Sequence, residues 1–261
     1  MSPAETGPVS VVRAATDRLT TPSQHPTPFG QAQSLADGAA GIALLHIEHA
    51  HTGTGRWDTA HAWLATAVGE DLLATTDAGL YLGAPAVAFA LHAADTDRAG
   101  RYTTATSRLD QAVTALTHRR VDRAHDRLAH RELPTMAEYD LICGLTGIGA
   151  HLLHHTPGDD ALGRVLGYLV RLTQPLRHHG DLLPGWWTGQ DPHATISPGF
   201  PGGHANAGLA HGITGPLALL AIARRRGIVV DGHLEAIERI CAWLDAWRQH
   251  DESGVWWPRW T

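Results

Sequence analysis

The stretch Gly208-Leu-Ala-His-Gly-Ile-Thr-Gly215 runs directly into Pro216-Leu-Ala-Leu-Leu-Ala-Ile-Ala223. A histidine stands where a glycine pair opens an apolar helix. The design recurs three more times: Asp37-Gly-Ala-Ala-Gly-Ile-Ala-Leu-Leu45, Gly83-Ala-Pro-Ala-Val-Ala-Phe-Ala-Leu91 and Cys143-Gly-Leu-Thr-Gly-Ile-Gly-Ala-His-Leu-Leu153. A recurring unit of this length defines an architecture. Its glycines suggest helix starts packed so closely that a Cβ would collide. Helix N-termini aim amide donors and positive dipole ends toward one end of such an assembly. His211 in the fourth copy and Asp140 beside the third are therefore expected to converge on a shared site.

The four glycine-led segments, 41–50, 86–94, 147–155 and 215–224, are apolar nearly all round. Amphipathic segments alternate with them. Trp57 to Leu73 places Trp57, Ala60, Leu64, Val68 and Leu72 near one face, and Asp97 to about His130 is long and charged. Asp159 to Leu176 groups Leu162, Val165, Leu166, Leu169, Val170 and Leu172. His233 to Trp247 groups Leu234, Ile237, Ile240, Cys241, Leu244 and Trp247. These spacings follow the helical period. Strand-type alternation is nearly absent, and the β-branched run Ile228-Val-Val230 is short.

The fold class is therefore all-α. An all-round apolar helix must be covered on several sides and an amphipathic one on a single side. Alternating the two gives an inner ring wrapped by an outer ring. Residues 1–30 hold a short helical pattern from Val11 to Leu19 and then Thr20-Thr-Pro-Ser-Gln-His-Pro-Thr-Pro28. They are expected to be a flexible lead-in, because proline removes donors and favours extended backbone. Residues 31–261 are expected to form one helical domain.

The net charge of −6 argues against a nucleic-acid partner. The arginine-rich stretch from Arg119 to Arg131, interleaved with Asp122, Asp126 and Glu132, is expected to be a solvated helix face. No apolar run approaches the ~20 residues of a membrane span, and no secretory signal is visible. A cytoplasmic location is expected. Two cysteines make no disulfide framework, so Cys143 and Cys241 are expected as buried thiols within apolar helices. Asp37 is expected to cap the helix after Gly38. Asp140 can cap the next such helix as well as serve the site.

The segment from Leu182 to Ala207 is long and rich in glycine, proline and aromatic residues. Loops of this length are usually functional. Trp186 and Trp187 read equally well as a substrate wall or a rim-packing pair, and His204 can line a pocket beside His211.

The chain resembles the lanthionine synthetase C (lanthipeptide cyclase) family. The residues that carry the likeness are Ser34-Leu-Ala-Asp-Gly-Ala-Ala-Gly41, Tyr139-Asp-Leu-Ile-Cys-Gly-Leu-Thr-Gly147, Pro184-Gly-Trp-Trp187, Asn206-Ala-Gly-Leu-Ala-His-Gly-Ile-Thr-Gly-Pro216 and Trp256-Trp-Pro258. The resemblance implies an α/α toroid of about seven helical hairpins. It implies addition of a peptide cysteine thiol to dehydroalanine or dehydrobutyrine, with zinc lowering the thiol pKa. It assigns catalytic roles to Asp140 and His211. It also implies a dehydrated precursor peptide as substrate and a separate dehydratase as partner.

Here the chain departs from the family pattern. The family's zinc ligands lie in cysteine and Cys-His motifs beyond a Trp-Pro motif, and this sequence stops at Trp257-Pro-Arg-Trp-Thr261. About four of the seven hairpins are expected, with no metal ligands in this chain. Taken alone, it is expected to lack bound zinc and catalysis. Two alternatives stay open: a non-catalytic peptide-binding or scaffold paralogue, and another α/α-toroid enzyme.

Overall fold

A computed structural model describes residues 7–22 and 28–261. Residues 1–6 and 23–27 of the expected lead-in lie outside the described residues. The chain divides into two compact units, one ending at Val113 and the other running from Thr114 to Thr261.

The first unit holds α1 (Pro8–Arg18), a short 3-10 turn at Gln31–Gln33, α2 (Ala39–His51), α3 (Trp57–Ala67) and α4 (Ala84–Ala94). α2 packs against both α3 and α4. Its core is rich in alanine, with Ala40, Ala43, Ala60 and Ala90 fully buried and Ile47, Trp63 and Leu64 filling the wider gaps. Small side chains let helix backbones approach closely. The Leu19 carbonyl accepts from the Trp63 indole at 2.8 Å and from His46 Nε2 at 2.6 Å, which ties the end of α1 to α2 and α3. α3 stops at Ala67, short of the expected Leu73, and Val68 is exposed. The reason lies in the next segment. The buried Gln33 amide accepts from Leu73 N–H at 2.8 Å and donates to the Asp71 carbonyl at 2.9 Å, holding that segment outside any helix.

The long helix α5 (Thr103–Ala129) crosses the division. The second unit continues with α6 (Met136–Tyr139), α7 (Leu145–His155), α8 (Asp160–Leu172), α9 (Thr214–Arg225) and α10 (His233–Ala246). Two antiparallel hairpins complete it: β1 (Leu176–His178) with β2 (Asp181–Leu183), and β3 (Gln249–Asp251) with β4 (Gly254–Trp256). α7 packs on α8 and α9, and α10 on α8 and α9. α8 buries the expected stripe of Leu162, Val165, Leu166, Leu169 and Leu172. Asp159 caps it by accepting from Ala161 N–H at 2.9 Å. Its expected extension to Leu176 is replaced by a turn at Pro175 and then β1, since proline cannot continue the hydrogen-bond ladder.

Several expectations fail for local reasons. α7 is buried nearly all round, but α9 buries only the stripe Gly215, Pro216, Leu219, Leu220 and Ala223. Its other face, with Ala218 and Ile222, lines an apolar pocket of about 290 Å³ shared with Leu141 and Leu209. Leu234 and Trp247 are exposed, because α10 buries the face of His233, Ala236 and Ile240 instead. Cys241 is exposed for the same reason: one residue on from Ile240 is a rotation of about 100°. Asp37 caps nothing. Gly38 takes the N-cap position of α2, and the Ser34 hydroxyl accepts from Ala36 and Asp37 N–H. Among the described residues no helix is long and apolar enough to cross a membrane.

Candidate functional site

Two helix-entry turns of the second unit share one construction. Gly144-Leu-Thr-Gly147 opens α7 and Gly212-Ile-Thr-Gly215 opens α9. In each, the threonine hydroxyl donates to a carbonyl earlier in the turn, Thr146 to Tyr139 and Thr214 to Ala207. A Cβ on Gly144 would lie 2.2 Å from Asp140 N, and one on Gly212 2.3 Å from Asn206 O. These glycines are required because the chain folds back on its own preceding residues. The expected collision with a neighbouring helix occurs one turn deeper, at Gly149, against the Leu219 and Val165 side chains.

The turns meet where Leu141 N–H donates to the Ala210 carbonyl at 3.0 Å. Asp140 is 1% exposed there. Its Oδ1 accepts from Cys143 N–H at 2.7 Å and Gly144 N–H at 2.8 Å. Its Oδ2 accepts from His211 Nδ1–H at 2.6 Å. The two expected catalytic residues are thus brought into direct contact, and Asp140 caps and pairs at once. Amides at the start of α7 offset the cost of the buried carboxylate. With Nδ1–H committed to Asp140, the imidazole keeps Nε2 for other chemistry. Nearly half of its side chain, 46%, is solvent-exposed.

The lanthionine synthetase C-like family matches residues 31–261, the whole of the second unit and most of the first. The chain belongs to that family. A solved nisin cyclase is similar over 97% of this chain at 21% identity, with a TM-score of 0.74. The fold class is therefore the α/α toroid. This lanthionine synthetase C-like chain spans 60% of the length of that cyclase. No curated protein matches it.

In this family member Cys143 occupies the turn position equivalent to His211, one residue before the glycine. It is exposed, contrary to expectation, because it precedes α7 rather than lying inside it. Partial burial and the neighbouring Asp140 charge raise its thiol pKa, and Arg120 opposes the shift. Arg120 is a second correction. The stretch from Arg119 to Arg131 is not uniformly solvated. Arg120 is buried and donates to the Cys143 and Ala137 carbonyls at 2.7 Å each, with desolvation lowering its pKa. It falls in register with the buried Leu116, Val121 and Ala124, so helical periodicity carried the signal. Arg127 pairs with Glu138 at 2.8 Å, and the buried Tyr168 hydroxyl donates to the same carboxylate at 2.6 Å.

Asn206 was missed as a site residue, although it opens the Asn206–Pro216 stretch that carries the family resemblance. It is buried, its Oδ1 accepts from Gly208 N–H at 2.7 Å, and its carbonyl accepts from Ile213 N–H at 2.9 Å. An asparagine two residues before a glycine is a turn signal. Trp186 is buried, edge-on to Trp243 at a 5.3 Å centroid distance, and its carbonyl accepts from the Tyr139 hydroxyl at 3.2 Å. Trp187 is half-buried and donates its indole N–H to the Gly202 carbonyl at 2.7 Å. His204 is buried between Phe200 and Trp260, with Nδ1 donating to the Gln190 carbonyl at 2.8 Å. Burial lowers its pKa. These three residues shape the loop that leads into the His211 turn, and they make no direct bond to the pair.

The zinc implied by the family does not fit the donors present at the pair. Both Asp140 oxygens are already engaged, which leaves His211 Nε2 and the Cys143 thiol. A zinc site takes three or four protein ligands. Among the described residues of the second unit, the candidate ligand group is His118, Asp159 and Asp160, at the N-terminus of α8.

Proposed function

We propose that this chain is of the lanthipeptide cyclase type and, departing from the expectation of a chain without catalysis, closes thioether rings in a dehydrated precursor peptide. The observation that carries this reading is the 2.6 Å bond between Asp140 Oδ2 and His211 Nδ1 at the meeting of the two helix-entry turns. The reaction forms a bond between the peptide sulfur and the β-carbon of dehydroalanine or dehydrobutyrine. The thiol proton ends on the α-carbon, so composition is unchanged. His211 Nε2 takes that proton from the thiol and returns it to the enolate. Asp140 holds the ring in one tautomer and stabilises the imidazolium between the two transfers. Trp186 positions Tyr139 and hence Asp140. Substrate contact falls on the half-exposed Trp187, with the buried His204 supporting the loop behind it. A separate dehydratase supplies the unsaturated peptide.

The incomplete zinc donor set favours one rival, a peptide-binding protein without turnover. A single assay separates them. Dehydrated peptide is incubated with the protein, with and without added zinc salt, and free thiol is counted by maleimide labelling and mass spectrometry. Cyclisation removes thiol without changing peptide mass. Binding of the peptide with every thiol retained under both conditions contradicts the cyclase reading.

A further inference from the structure

The second unit carries a charged pocket that the His211–Asp140 pair does not use. It has a volume of about 450 Å³ and is walled by Arg127, Arg131, Arg171 and Arg177, with Leu176 and Leu182 between them. No carboxylate lines it. Arg127 is committed to Glu138 and to the Glu132 carbonyl, each at 2.8 Å. Arg131, Arg171 and Arg177 are exposed and have no acidic partner among the described residues. Arginine side chains that line one pocket repel one another until an anion joins them. Each presents a planar fork that matches a carboxylate.

The pocket stands at the same end of the unit as the pair. A short turn at 156–159 returns the chain from α7 to α8, so the C-terminus of α8 lies at the end where Asp140 opens α7. Arg171 is in the last turn of α8, and Gly185, which lines the pocket, adjoins the Trp186 carbonyl that holds Tyr139. Glu138, the partner of Arg127, stands two residues before Asp140.

We propose that this pocket binds an acidic segment of the peptide substrate, anchoring it while another part of the same peptide reaches His211. This rests on the cyclase reading for the nature of the substrate. The leucines favour a segment that mixes carboxylates with apolar side chains over a bare inorganic anion. The net charge of −6 opposes a long polyanion such as nucleic acid. The volume lies within the ~300–1,000 Å³ typical of ligand sites.

The test uses the full chain and no turnover. A Leu-Asp-Leu-Glu-Leu-amide carrying fluorescein on its N-terminal amine is titrated by anisotropy against its Asn/Gln analogue. The acidic probe is expected to bind about tenfold tighter, or about 1.4 kcal/mol, and to weaken as salt is raised. Arg171→Gln with Arg177→Gln is expected to remove that preference, Arg131→Gln to reduce it, and His211→Ala to leave it intact. Equal binding of the two probes to the unaltered chain overturns the proposal, whatever the variants do. So does displacement of the acidic probe by inorganic phosphate at the same concentration as by unlabelled peptide, which assigns the pocket to a small anion. Acidic preference without thiol loss in the cyclisation assay keeps the pocket and rejects the cyclase reading. Thiol loss without acidic preference does the reverse.

Discussion

Asp140 receives two amides and an imidazole on one buried carboxylate. Replacing it with asparagine keeps an oxygen for the amides but turns an NH2 group toward His211 Nδ1. In ¹⁵N NMR the unaltered protein is expected to show His211 protonated at Nδ1, and Asp140→Asn to move that proton to Nε2. An unchanged tautomer would show that Asp140 does not orient the ring. Cys143 gives a second probe. Its thiol pKa is raised by burial and by Asp140, and only the thiolate is alkylated. Its iodoacetamide reaction should therefore rise at higher pH than that of a free cysteine, with a midpoint that falls in Asp140→Asn. Identical midpoints in the two proteins would contradict the coupling. Both members of the pair were legible in the sequence, because each stands in a stretch that carries the family resemblance. The exposure of Cys143 was not, since it depends on α7 beginning one residue after Gly144.

The entry turns make the element-scale predictions sharp. Gly144→Ala drives a Cβ into the Asp140 backbone and should cost at least about 1–3 kcal/mol in denaturant unfolding. Gly163→Ala in α8 meets nothing within 4 Å and should stabilise by about 0.4–1 kcal/mol. Equal effects at the two positions would mean that the turn is not the constraint. The loop carrying His204 should respond to acid. Its folded-state pKa is lowered by burial, so the unfolded chain takes up the proton first as pH falls below about 6.5. The stability from this group is complete above that value and is lost as pH drops toward the lower folded pKa. His204→Gln should show a shallower fall in Tm between about pH 6.5 and 5; the same slope would exclude His204 as a contributor. Periodicity marked where the helices lie but not where they end. α3 and α8 stop early because Gln33 binds the irregular segment that follows α3 and Pro175 breaks the ladder.

At the scale of the molecule, the repeat of glycine-led apolar helices and the helical period pointed to an all-α chain of inner and outer helices, and the family resemblance added the toroid. What they could not give is which faces are covered, because α9 and α10 bury single stripes rather than the faces that hydrophobicity alone selects. The core of the second unit rests on α7 and α8. Their amides are expected to exchange slowest, and those of the exposed β3–β4 hairpin fastest. Comparable exchange in both would contradict that distribution of stability. The central claim is that Asp140 and His211 act as one unit. The most direct test is the rate of thiol loss from dehydrated peptide in Asp140→Asn, His211→Ala and the double variant. A proton-shuttling pair predicts that His211→Ala loses about 10²–10⁴-fold. It also predicts that the double variant is no slower than His211→Ala. Full activity in His211→Ala, or losses that simply multiply, would contradict it.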